Sequence, residues 1–526
     1  MKIVIAEKVA ANAVRVLKEE KEWTVITHEQ INGNLDNALP DADALIVRSA
    51  VDVNANMLRN AVRLQVIGRA GVGVDNIDLE AATNAGIAVM NTPGANAVAV
   101  AEHTLALMLA LSRHITRADS TTKAGKWEKK SLQGTELRGK VLGIVGMGRI
   151  GIEVAKRAKA FDMEVVAHDP YVPYSLAAQH GVNLLDLDEV FATADYLSLH
   201  VGLTPQTANM INEQSLAKMK RGVRIINCAR GELIDDAALA VAITSKHVAG
   251  AALDVFVEEP PRNLPLLELE NVIVTPHIAG STNEAQDAVG IQIVSQVREF
   301  LKRGVVLNAV NLPSLGFEQN AEMQPYIELA RSLGKFLAKT APGQIEEVSI
   351  QCGEKFFDGK TDLICSAVLQ GILAQIGEKA NMVNAAAKAR ERCIRLAGSG
   401  TDQFSDKTGK DIITVMLKTA SGDHCASGTI FHGAFRLLSV NGMDIEAPLQ
   451  GNMICVRHAG ATAMIGKLGN ALACQGIGIN HFACGRSGLS GSEAISILQA
   501  DRQVTESTLQ EIAELEEVHS ACSVQF

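Results

Sequence analysis

The feature that most constrains the fold is a set of three glycines at fixed spacing in the segment GMGRIG, namely Gly146, Gly148 and Gly151. The apolar segment VLGIV precedes them, a helical pattern follows, and Asp169 ends the next predicted strand. The glycine spacing alone is common, but a strand, a glycine turn, a helix and a downstream acid together predict a parallel α/β unit that binds a dinucleotide.

The same residues indicate which dinucleotide would bind. Glycines in this turn let the backbone approach a pyrophosphate at the N-terminus of the following helix. Asp169 would accept hydrogen bonds from the ribose hydroxyls and repel a 2′-phosphate. We therefore expect NAD rather than NADP, the alternative being a glycine-rich turn without a ligand.

Short apolar strands alternate with helical segments over much of the chain. KIVIA, ALIVRS and IAVMNT lie between residues 2 and 92, and VLGIVG, EVVAHD, YLSLH, VRIINCAR and GAALDV lie between residues 141 and 280. This rhythm is typical of parallel sheets flanked by helices. The predicted fold class is α/β, with two Rossmann- or flavodoxin-like domains that enclose a cleft. An apolar helix over 97–112 would join them, as a hinge, an oligomer contact or both.

A chain of 526 residues is too long for one core, and two further domains are predicted. Ser281 and Glu284 indicate a capping box that opens a helix returning to the first unit. A linker is predicted over 311–324, then an α+β intervening domain, then the βαββαβ order of a ferredoxin-like domain over 452–526. The predicted boundaries are 1–97 plus 284–310, 98–283, 311–450 and 451–526.

Composition excludes several classes of function. The net charge of -10 opposes nonspecific nucleic-acid binding, which needs a concentrated basic surface. The longest apolar run, over 104–111, is too short for a membrane helix, and the segment MKIVIAEKVA does not resemble a signal peptide. The nine cysteines include no CxxC pair, so neither a disulfide framework nor a metal site is expected. A reducing cytoplasm fits this usage.

Three ionisable residues follow strands of the second unit: Arg230 in NCARG, Glu259 in DVFVEEP and His277 in TPHIAG. They would meet at the carboxyl edge of the sheet, where such folds bind ligands. Oxidation of a hydroxy acid needs a base, which a histidine supplies, and a cation for the carboxylate, which Arg230 supplies. Glu259 would orient the imidazole. Each residue alone would be unremarkable, and the combination predicts the chemistry.

Longer stretches carry a family resemblance: VGMGRIG with Asp169, INCARGELID, GAALDVFVEEP, TPHIAGSTNEAQ, IGRAGVGVDNID and VMNTPGANAVAVAEHTLALMLA. The chain resembles the D-isomer-specific 2-hydroxyacid dehydrogenases, and within them the long enzymes with an intervening domain and a C-terminal ACT domain. The resemblance implies that His277 donates or accepts the proton, Glu259 pairs with it and Arg230 binds substrate. The NAD contacts that it implies are Gly146, Gly148, Arg149, Ile150, Gly151, Asp169, Val201, Cys228, Ala229, Arg230, Asp254, His277, Ile278, Ala279 and Gly280.

The long enzymes act on 3-phosphoglycerate, so the resemblance implies NAD-dependent oxidation of that acid, the first step of serine synthesis. Arg48 in IVRSA and Arg69 in IGRAGVG would hold the anionic substrate, unless each is an ordinary strand-end residue. The substrate contacts that the resemblance implies are Arg48, Arg69, Gly71, Val72, Gly73, Val74, Arg230 and His277.

The resemblance also bears on assembly and regulation. It implies a homodimer or homotetramer in which Lys129 reaches the partner's site, and ACT domains that pair across subunits and bind serine. The usual Asn-x-x-x-Pro-Gly loop is replaced here, with Ala463 and Met464 in the Pro and Gly positions, although Asn480 remains. Serine binding and a purely structural dimerising role therefore both stay open.

Two further departures concern the cofactor side. Val201 and Gly202 replace a common Thr-Pro pair, and Val72 stands where a hydroxyl residue is frequent, which should adjust cofactor affinity rather than chemistry. Two alternatives remain at this point. One is another D-2-hydroxyacid dehydrogenase, such as a hydroxypyruvate or glyoxylate reductase. The other is a non-enzymatic NAD-sensing module like the corepressors that share this core, which lack the C-terminal domain.

Overall fold

The first sheet is built from five short strands that the structure, a computed structural model, places in parallel. It describes residues 1–31, 33–312, 317–353, 356, 360–397, 411–460, 462–487 and 493–526. The strands are β1 (Lys2–Ile5), β2 (Thr24–Ile26), β3 (Ala44–Val47), β4 (Val66–Arg69) and β5 (Ala88–Met90). Their order is β2-β1-β3-β4-β5. Every residue of β3 is buried, as expected for a strand covered on both faces.

Helices cover both faces of this sheet. They are α1 (Ala11–Lys18), α2 (His28–Ile31), α3 (Leu35–Ala38), α4 (Ala55–Asn60) and α5 (Leu79–Asn84). The returning helix α13 (Asn283–Arg303) joins them from later in the chain. A Cβ on Gly68 would lie 2.8 Å from side-chain atoms of Ile293 and Val297, so glycine in β4 allows α13 to pack directly on the strand.

The second sheet holds seven parallel strands. They are β6 (Val141–Val145), β7 (Glu164–His168), β8 (Asn183–Leu184), β9 (Tyr196–Leu199), β10 (Val223–Asn227), β11 (Val248–Leu253) and β12 (Val272–Val274). The order is β12-β11-β10-β9-β6-β7-β8. Strands β7 and β8 follow β6 on one side and β9 to β12 follow on the other, so the direction in which strands are added reverses beside β6. Open sheets of this kind bind ligands at that reversal, outside the carboxyl ends of the strands.

The helices of this unit are α6 (Ala97–Arg113), α7 (Ile115–Lys123), α8 (Arg149–Ala160), α9 (Tyr174–Gln179), α10 (Leu187–Thr193), α11 (Glu213–Lys218) and α12 (Asp236–Thr244). Short 3-10 turns occupy Gly231–Leu233 and Pro265–Glu268. The apolar helix α6 buries ten of its residues and packs against α8 in the core of this unit.

The third sheet is mixed. Its strands β13 (Ile345–Cys352), β14 (Arg395–Leu396), β15 (Ile413–Thr419), β16 (Gly422–Phe431), β17 (Ala434–Val440) and β18 (Met443–Pro448) lie in the order β14-β13-β15-β16-β17-β18. Helices α14 (Phe317–Thr340), α15 (Lys360–Gln375) and α16 (Ala385–Glu391) accompany it. Only β13 and β14 pair in parallel.

The C-terminal unit has the predicted βαββαβ order: β19 (Asn452–His458), α17 (Met464–Cys474), β20 (Ile479–Arg486), β21 (Ala494–Ala500), α18 (Glu506–Ala513) and β22 (Val518–Gln525). The antiparallel order β20-β21-β19-β22 is that of a ferredoxin-like sheet. The face of this sheet that its own helices do not cover includes Met453, Cys455 and Val524. This face packs against the intervening domain and shares one core with it.

Two sequence predictions were wrong in detail. The predicted linker over 311–324 is partly helical, because α14 begins at Phe317. Asn311 and Leu312 instead belong to the first unit: the Asn311 side chain accepts a hydrogen bond from the Val89 N–H and Leu312 is buried in that core. Ser281 is not the cap of α13, since Thr282 fills that position and accepts from the Ala285 N–H.

Candidate active site

A cleft of about 710 Å³ lies between the first and second sheets. Arg48, Arg69 and the loop after β4 line one wall, and Arg230, Glu259 and His277 line the other. Its volume falls in the range of ordinary small-molecule sites. The structure thus brings the three predicted catalytic residues to one place, opposite the two arginines of the first unit.

His277 and Glu259 form a pair beyond the carboxyl ends of β12 and β11. The Nδ1 atom of His277 lies 2.8 Å from Oε2 of Glu259, and the other carboxylate oxygen accepts from the Phe256 N–H at 3.1 Å. The backbone of His277 is left-handed, and its imidazole is 51% exposed. An ionised Glu259 only accepts hydrogen bonds, so it fixes the proton on Nδ1 and leaves Nε2 free to accept one.

Asp254, at the end of β11, holds the backbone that carries His277. It is fully buried, and it accepts from the N–H groups of Ile278 and Ala279, both at 2.9 Å, and from the Thr275 hydroxyl at 2.5 Å. Burial alone would raise the pKa of Asp254, but these bonds and His103 lower it below its ordinary value. The buried carboxylate of Asp254 thus fixes the conformation of the loop after β12 through hydrogen bonds.

Asn227 gives the turn after β10 its shape. Its amide nitrogen donates to the Arg230 carbonyl at 2.7 Å, and its amide oxygen accepts from the Ala229 N–H at 3.0 Å. The Arg230 side chain leaves this turn and crosses the cleft to Asp75, with Nη2 3.0 Å from Oδ2. Arg230 is therefore anchored on one wall and paired with the other.

The glycines of the loop after β4 make room for two arginines. A Cβ on Gly71 would lie 1.5 Å from Nη1 of Arg69, and a Cβ on Gly73 would lie 1.9 Å from Nη2 of Arg230. Gly71 also has a positive φ of 152°. Any side chain at these two positions would displace a guanidinium from the cleft.

Arg69 is the least satisfied cation of the site. Its Nε is buried and has no hydrogen-bond partner among the described residues. Burial lowers the pKa of Arg69, the charge of Arg230 lowers it further, and Asp75 opposes the shift. A half-buried guanidinium with an open donor next to a cleft is suited to receive an anion.

The glycine turn before α8 has the geometry of a dinucleotide cradle. A Cβ on Gly151 would lie 2.1 Å from the Gly146 carbonyl oxygen, and one on Gly146 would lie 2.6 Å from the His200 carbonyl oxygen. A Cβ on Gly148 would meet nothing within 4 Å. Packing thus excludes a side chain at Gly146 and Gly151. Gly148 faces open space at the N-terminus of α8, which has no side-chain cap, and a pyrophosphate fits there.

Asp169 stands beside this turn at the end of β7. Its carboxylate accepts from the Met147 N–H at 2.8 Å and from the Tyr171 N–H at 2.9 Å. Oxygen lone pairs remain for ribose hydroxyls. The glycine turn and Asp169 together fit an adenosine diphosphate of the NAD type.

Two side chains that directly follow strands of the second sheet, Cys228 after β10 and His200 after β9, are uncharged, and of these only Cys228 was a predicted NAD contact. Burial raises the pKa of the Cys228 thiol to about 12, so Cys228 stays neutral. Burial lowers the pKa of His200 to about 4, and its Nε2 lies 2.8 Å from the Ser198 hydroxyl. Neither residue carries charge at neutral pH, and the Val201 side chain borders the glycine turn at Gly146.

The remaining predicted residues lie as follows. Arg149 donates to the Pro93 carbonyl across the domain boundary, and Ile150 packs in the core below. Gly280 borders the cleft, and Val72 accepts from Asn91 through its carbonyl. Lys129 is exposed and is not among the residues lining the cleft of its own chain.

Sequence reasoning missed four residues that shape the site: Asn227, Thr275, His103 and Asp75. Thr275 and His103 support Asp254, and His103 Nε2 lies 3.1 Å from the Thr275 hydroxyl. Asn227 and Thr275 stand directly inside the motifs NCARG and TPHIAG, where a polar residue ending a buried strand is itself a signal. The sequence has no comparable signal for the partnership of Asp75 with a residue 155 positions later.

Comparison with known proteins places this geometry in a family. The model of the D-isomer specific 2-hydroxyacid dehydrogenase NAD binding domain matches residues 105–279, and that of the D-3-phosphoglycerate dehydrogenase intervening domain matches residues 322–441. A D-3-phosphoglycerate dehydrogenase of Methanocaldococcus jannaschii is 38% identical over 100% of both chains. The chain belongs to the D-3-phosphoglycerate dehydrogenase family. A Bacillus subtilis member is 36% identical over 99% of this chain and 98% of its own.

Solved structures agree for the catalytic half of this D-3-phosphoglycerate dehydrogenase family member. TT0316 from Thermus thermophilus is 36% identical, with a TM-score of 0.54 over 59% of this chain and 100% of its own. D-lactate dehydrogenase from Aquifex aeolicus, complexed with NAD and lactic acid, is 31% identical, with a TM-score of 0.52 over 60% of this chain and 100% of its own. The family assignment confirms an oxidoreductase with NAD as its cofactor. Within the described residues, no helix is long and apolar enough to cross a membrane.

Proposed function

We propose that this chain oxidises 3-phospho-D-glycerate to 3-phosphohydroxypyruvate with NAD, as the first step of serine biosynthesis in the cytoplasm. One observation carries the proposal: the His277–Glu259 pair shares a single cleft with three arginines, Arg230 on its own wall and Arg48 and Arg69 on the opposite wall. A substrate with a hydroxyl between a carboxylate and a phosphate needs this combination of one base and several cations. The relatives of equal length that bear the D-3-phosphoglycerate dehydrogenase name support the same substrate.

The chain's residues divide the reaction between them. His277 takes the hydroxyl proton on Nε2, and Glu259 stabilises the imidazolium that results. Arg230 holds the carboxylate and polarises the forming carbonyl. NAD, when bound, accepts the hydride from the carbon that bears the hydroxyl. Gly146, Gly148, Gly151 and Asp169 would hold its adenosine half, and the loop shaped by Asp254 would border its nicotinamide.

Arg48 and Arg69 would bind the phosphate end. Both line the cleft wall opposite His277, and the buried Nε of Arg69 has no hydrogen-bond partner among the residues that the structure describes. Arg48 is steadied by donating to the Lys8 carbonyl at 3.2 Å. The amides of the Gly71 to Val74 loop would add backbone donors, as a doubly charged group requires.

The experiment that tests this function is NADH formation by the purified chain with 3-phosphoglycerate, glycerate and 2-hydroxyglutarate. We expect kcat/KM to be highest for 3-phosphoglycerate. A preference for glycerate would overturn the substrate while leaving the dehydrogenase, and no turnover of any acid would overturn the enzymatic role.

The chain is further proposed to work as a homodimer or homotetramer. Trp127 is 83% exposed, and Val98 on α6 and Ile115 on α7 are also exposed, so these side chains are our candidates for a contact with a second copy of the chain. Such a contact would bring Lys129 toward a partner's cleft. Trp127→Glu should lower the mass measured by light scattering, and Tyr174→Glu, at another exposed aromatic residue, should not.

For the C-terminal domain, serine binding and a structural dimerising role are separable. Asn480 is exposed on β20, whereas Met464 is buried in the domain core and offers no polar group. Calorimetric titration with serine distinguishes the two roles. Saturable binding that Asn480→Ala abolishes supports a regulatory site, and an absence of heat in an intact oligomer supports dimerisation.

A further inference from the structure

Arg230 has its carboxylate-binding edge already occupied in this structure. Its Nε and Nη2 atoms lie 3.1 and 3.0 Å from the same oxygen, Oδ2 of Asp75. Its Nη1 donates to the Ala229 carbonyl at 2.6 Å. The Nε/Nη2 edge is one of the two forks with which a guanidinium grips a carboxylate, so a substrate that uses it must first displace Asp75.

The contact between Asp75 and Arg230 depends on the sequence of the loop. Gly73 lies directly beneath it, because a Cβ there would come within 1.9 Å of Nη2 of Arg230 and 2.7 Å of Oδ2 of Asp75. The loop thus brings a carboxylate of the first domain against the guanidinium of the second. The ion pair is a contact between the two walls of the cleft.

Exposure shows that the pair can open. The Asp75 side chain is 65% exposed and that of Arg230 only 27%, so on separation Asp75 gains water while Arg230 stays anchored. Exposed ion pairs of this kind contribute little stability. A ligand carboxylate held by several donors at once can therefore replace Asp75.

The charges around the pair explain what Asp75 does when the cleft is empty. Arg48, Arg69 and Arg230 converge on the same cleft, and the charges of Arg69 and Arg230 repel each other. Asp75 offsets this repulsion. Without Asp75, the Arg230 side chain would lose the attraction that holds it extended across the cleft, and the repulsion from Arg69 would remain.

We propose that Asp75 is a built-in stand-in for the substrate carboxylate. It is a positioning residue that holds Arg230 extended in the empty cleft and releases the Nε/Nη2 edge when an acid enters. Binding is thus an exchange of one carboxylate for another. This proposal rests on the proposed function, since it assigns Arg230 to the acid group of the substrate.

The test measures oxalate binding to the NAD-saturated enzyme by calorimetry, because oxalate presents carboxylates and cannot transfer a hydride. Asp75→Asn should lower the dissociation constant of oxalate about two- to five-fold, since an exposed ion pair is worth up to about a factor of five. Asp75→Glu should restore the wild-type value. A residue needed only for loop structure would have the opposite effect and weaken oxalate binding.

Asp52→Asn is the matched control, because Asp52 lines the same cleft and its loss changes the charge equally. A smaller tightening in Asp52→Asn than in Asp75→Asn supports the exchange, and equal tightening or any weakening in Asp75→Asn overturns it. If oxalate behaves as expected but 3-phosphoglycerate is not oxidised, the proposed function fails and the exchange stands. The reverse result refutes the exchange alone.

Discussion

The two walls of the cleft are built differently. On the wall of the second sheet, buried polar groups fix the backbone: Asp254 accepts two loop amides, and Asn227 closes the turn before Arg230. On the wall of the first sheet, glycines give space to side chains, the Arg69 Nε has no partner within the described part of the chain, and Asp75 is mostly exposed. The wall of the second sheet is held by internal hydrogen bonds and is here called the rigid wall. The wall of the first sheet leaves polar groups open to a ligand and is called the adjustable wall.

This difference shows which part of the site needs precisely placed atoms. Proton transfer depends on distances of a few tenths of an ångström, so the residues that carry it sit on a preorganised backbone. Recognition of a charged group tolerates adjustment, because several cations share the same charge. Five substitutions test this contrast.

The largest effect is expected for His277→Gln, on the rigid wall. Loss of the general base should lower kcat about 10²- to 10⁴-fold. The dissociation constant of NAD, followed by fluorescence, should change little, since the backbone position depends on Asp254. His432→Gln is the control, because that histidine is also exposed and left-handed but lies in the intervening domain. A similar fall in both variants would contradict the assignment.

Asp254→Ala should show how much of the rigidity comes from one carboxylate. Two loop amides and the Thr275 hydroxyl would lose their acceptor, which costs about 3 kcal/mol of unfolding free energy in urea titrations at neutral pH. Asp188→Ala, which removes an exposed pair with Lys218, should cost at most about 1 kcal/mol. Equal costs would mean that the loop is held by other contacts.

The same substitution predicts a pH dependence. The pKa of Asp254 is lowered in the folded chain, so its contribution is present above the ordinary carboxyl pKa and is lost as pH falls through the folded value. The stability gap between wild type and Asp254→Ala should therefore narrow only at strongly acidic pH. A gap that closes near neutrality would argue against an ionised Asp254.

The glycine turn before α8 provides a paired test within the second sheet's unit. Gly151→Ala should destabilise the fold by about 1 to 3 kcal/mol, because its Cβ would overlap the Gly146 carbonyl oxygen. Gly148→Ala should leave the thermal midpoint of the free enzyme unchanged but reduce the stabilisation that added NAD confers. If Gly148→Ala binds NAD normally, the pyrophosphate does not approach at this position.

The smallest effect is expected on the adjustable wall. Arg48→Leu should raise KM for 3-phosphoglycerate about tenfold, near 1.4 kcal/mol, and raise KM for glycerate much less. Arg59→Leu, an exposed arginine on α4, should change neither value. Equal changes for both substrates in Arg48→Leu would remove its role at the phosphate.

Sequence patterns predicted the rigid wall better than the adjustable one. Gly146, Gly151 and Asp169 have a local signature because their roles depend on neighbours within one strand-turn-helix unit. His277 and Glu259 were expected to pair because each ends a predicted strand on the same sheet edge. Asp75 could not be paired with Arg230 from the sequence, because that contact depends on how two domains face each other.

Helix boundaries failed for a related reason. The segment over 317–324 lacks apolar periodicity, yet it is the first part of α14, whose later turns are fixed by the buried core around Leu329 and Leu333. Packing of the later turns extends a helix past the point where its own pattern is visible. Serine and threonine are both favoured as N-caps, so the sequence could not distinguish Ser281 from its neighbour Thr282 as the cap of α13.

The intervening domain contacts the first sheet near the start of β5. Asn381 donates to the Gly86 carbonyl at 2.6 Å, and Val383 is buried in the core beside β5. The C-terminal half of the chain therefore contacts the same sheet that carries Arg48 and Arg69. Through β5, this contact is one strand away from β4, the strand that ends in Arg69.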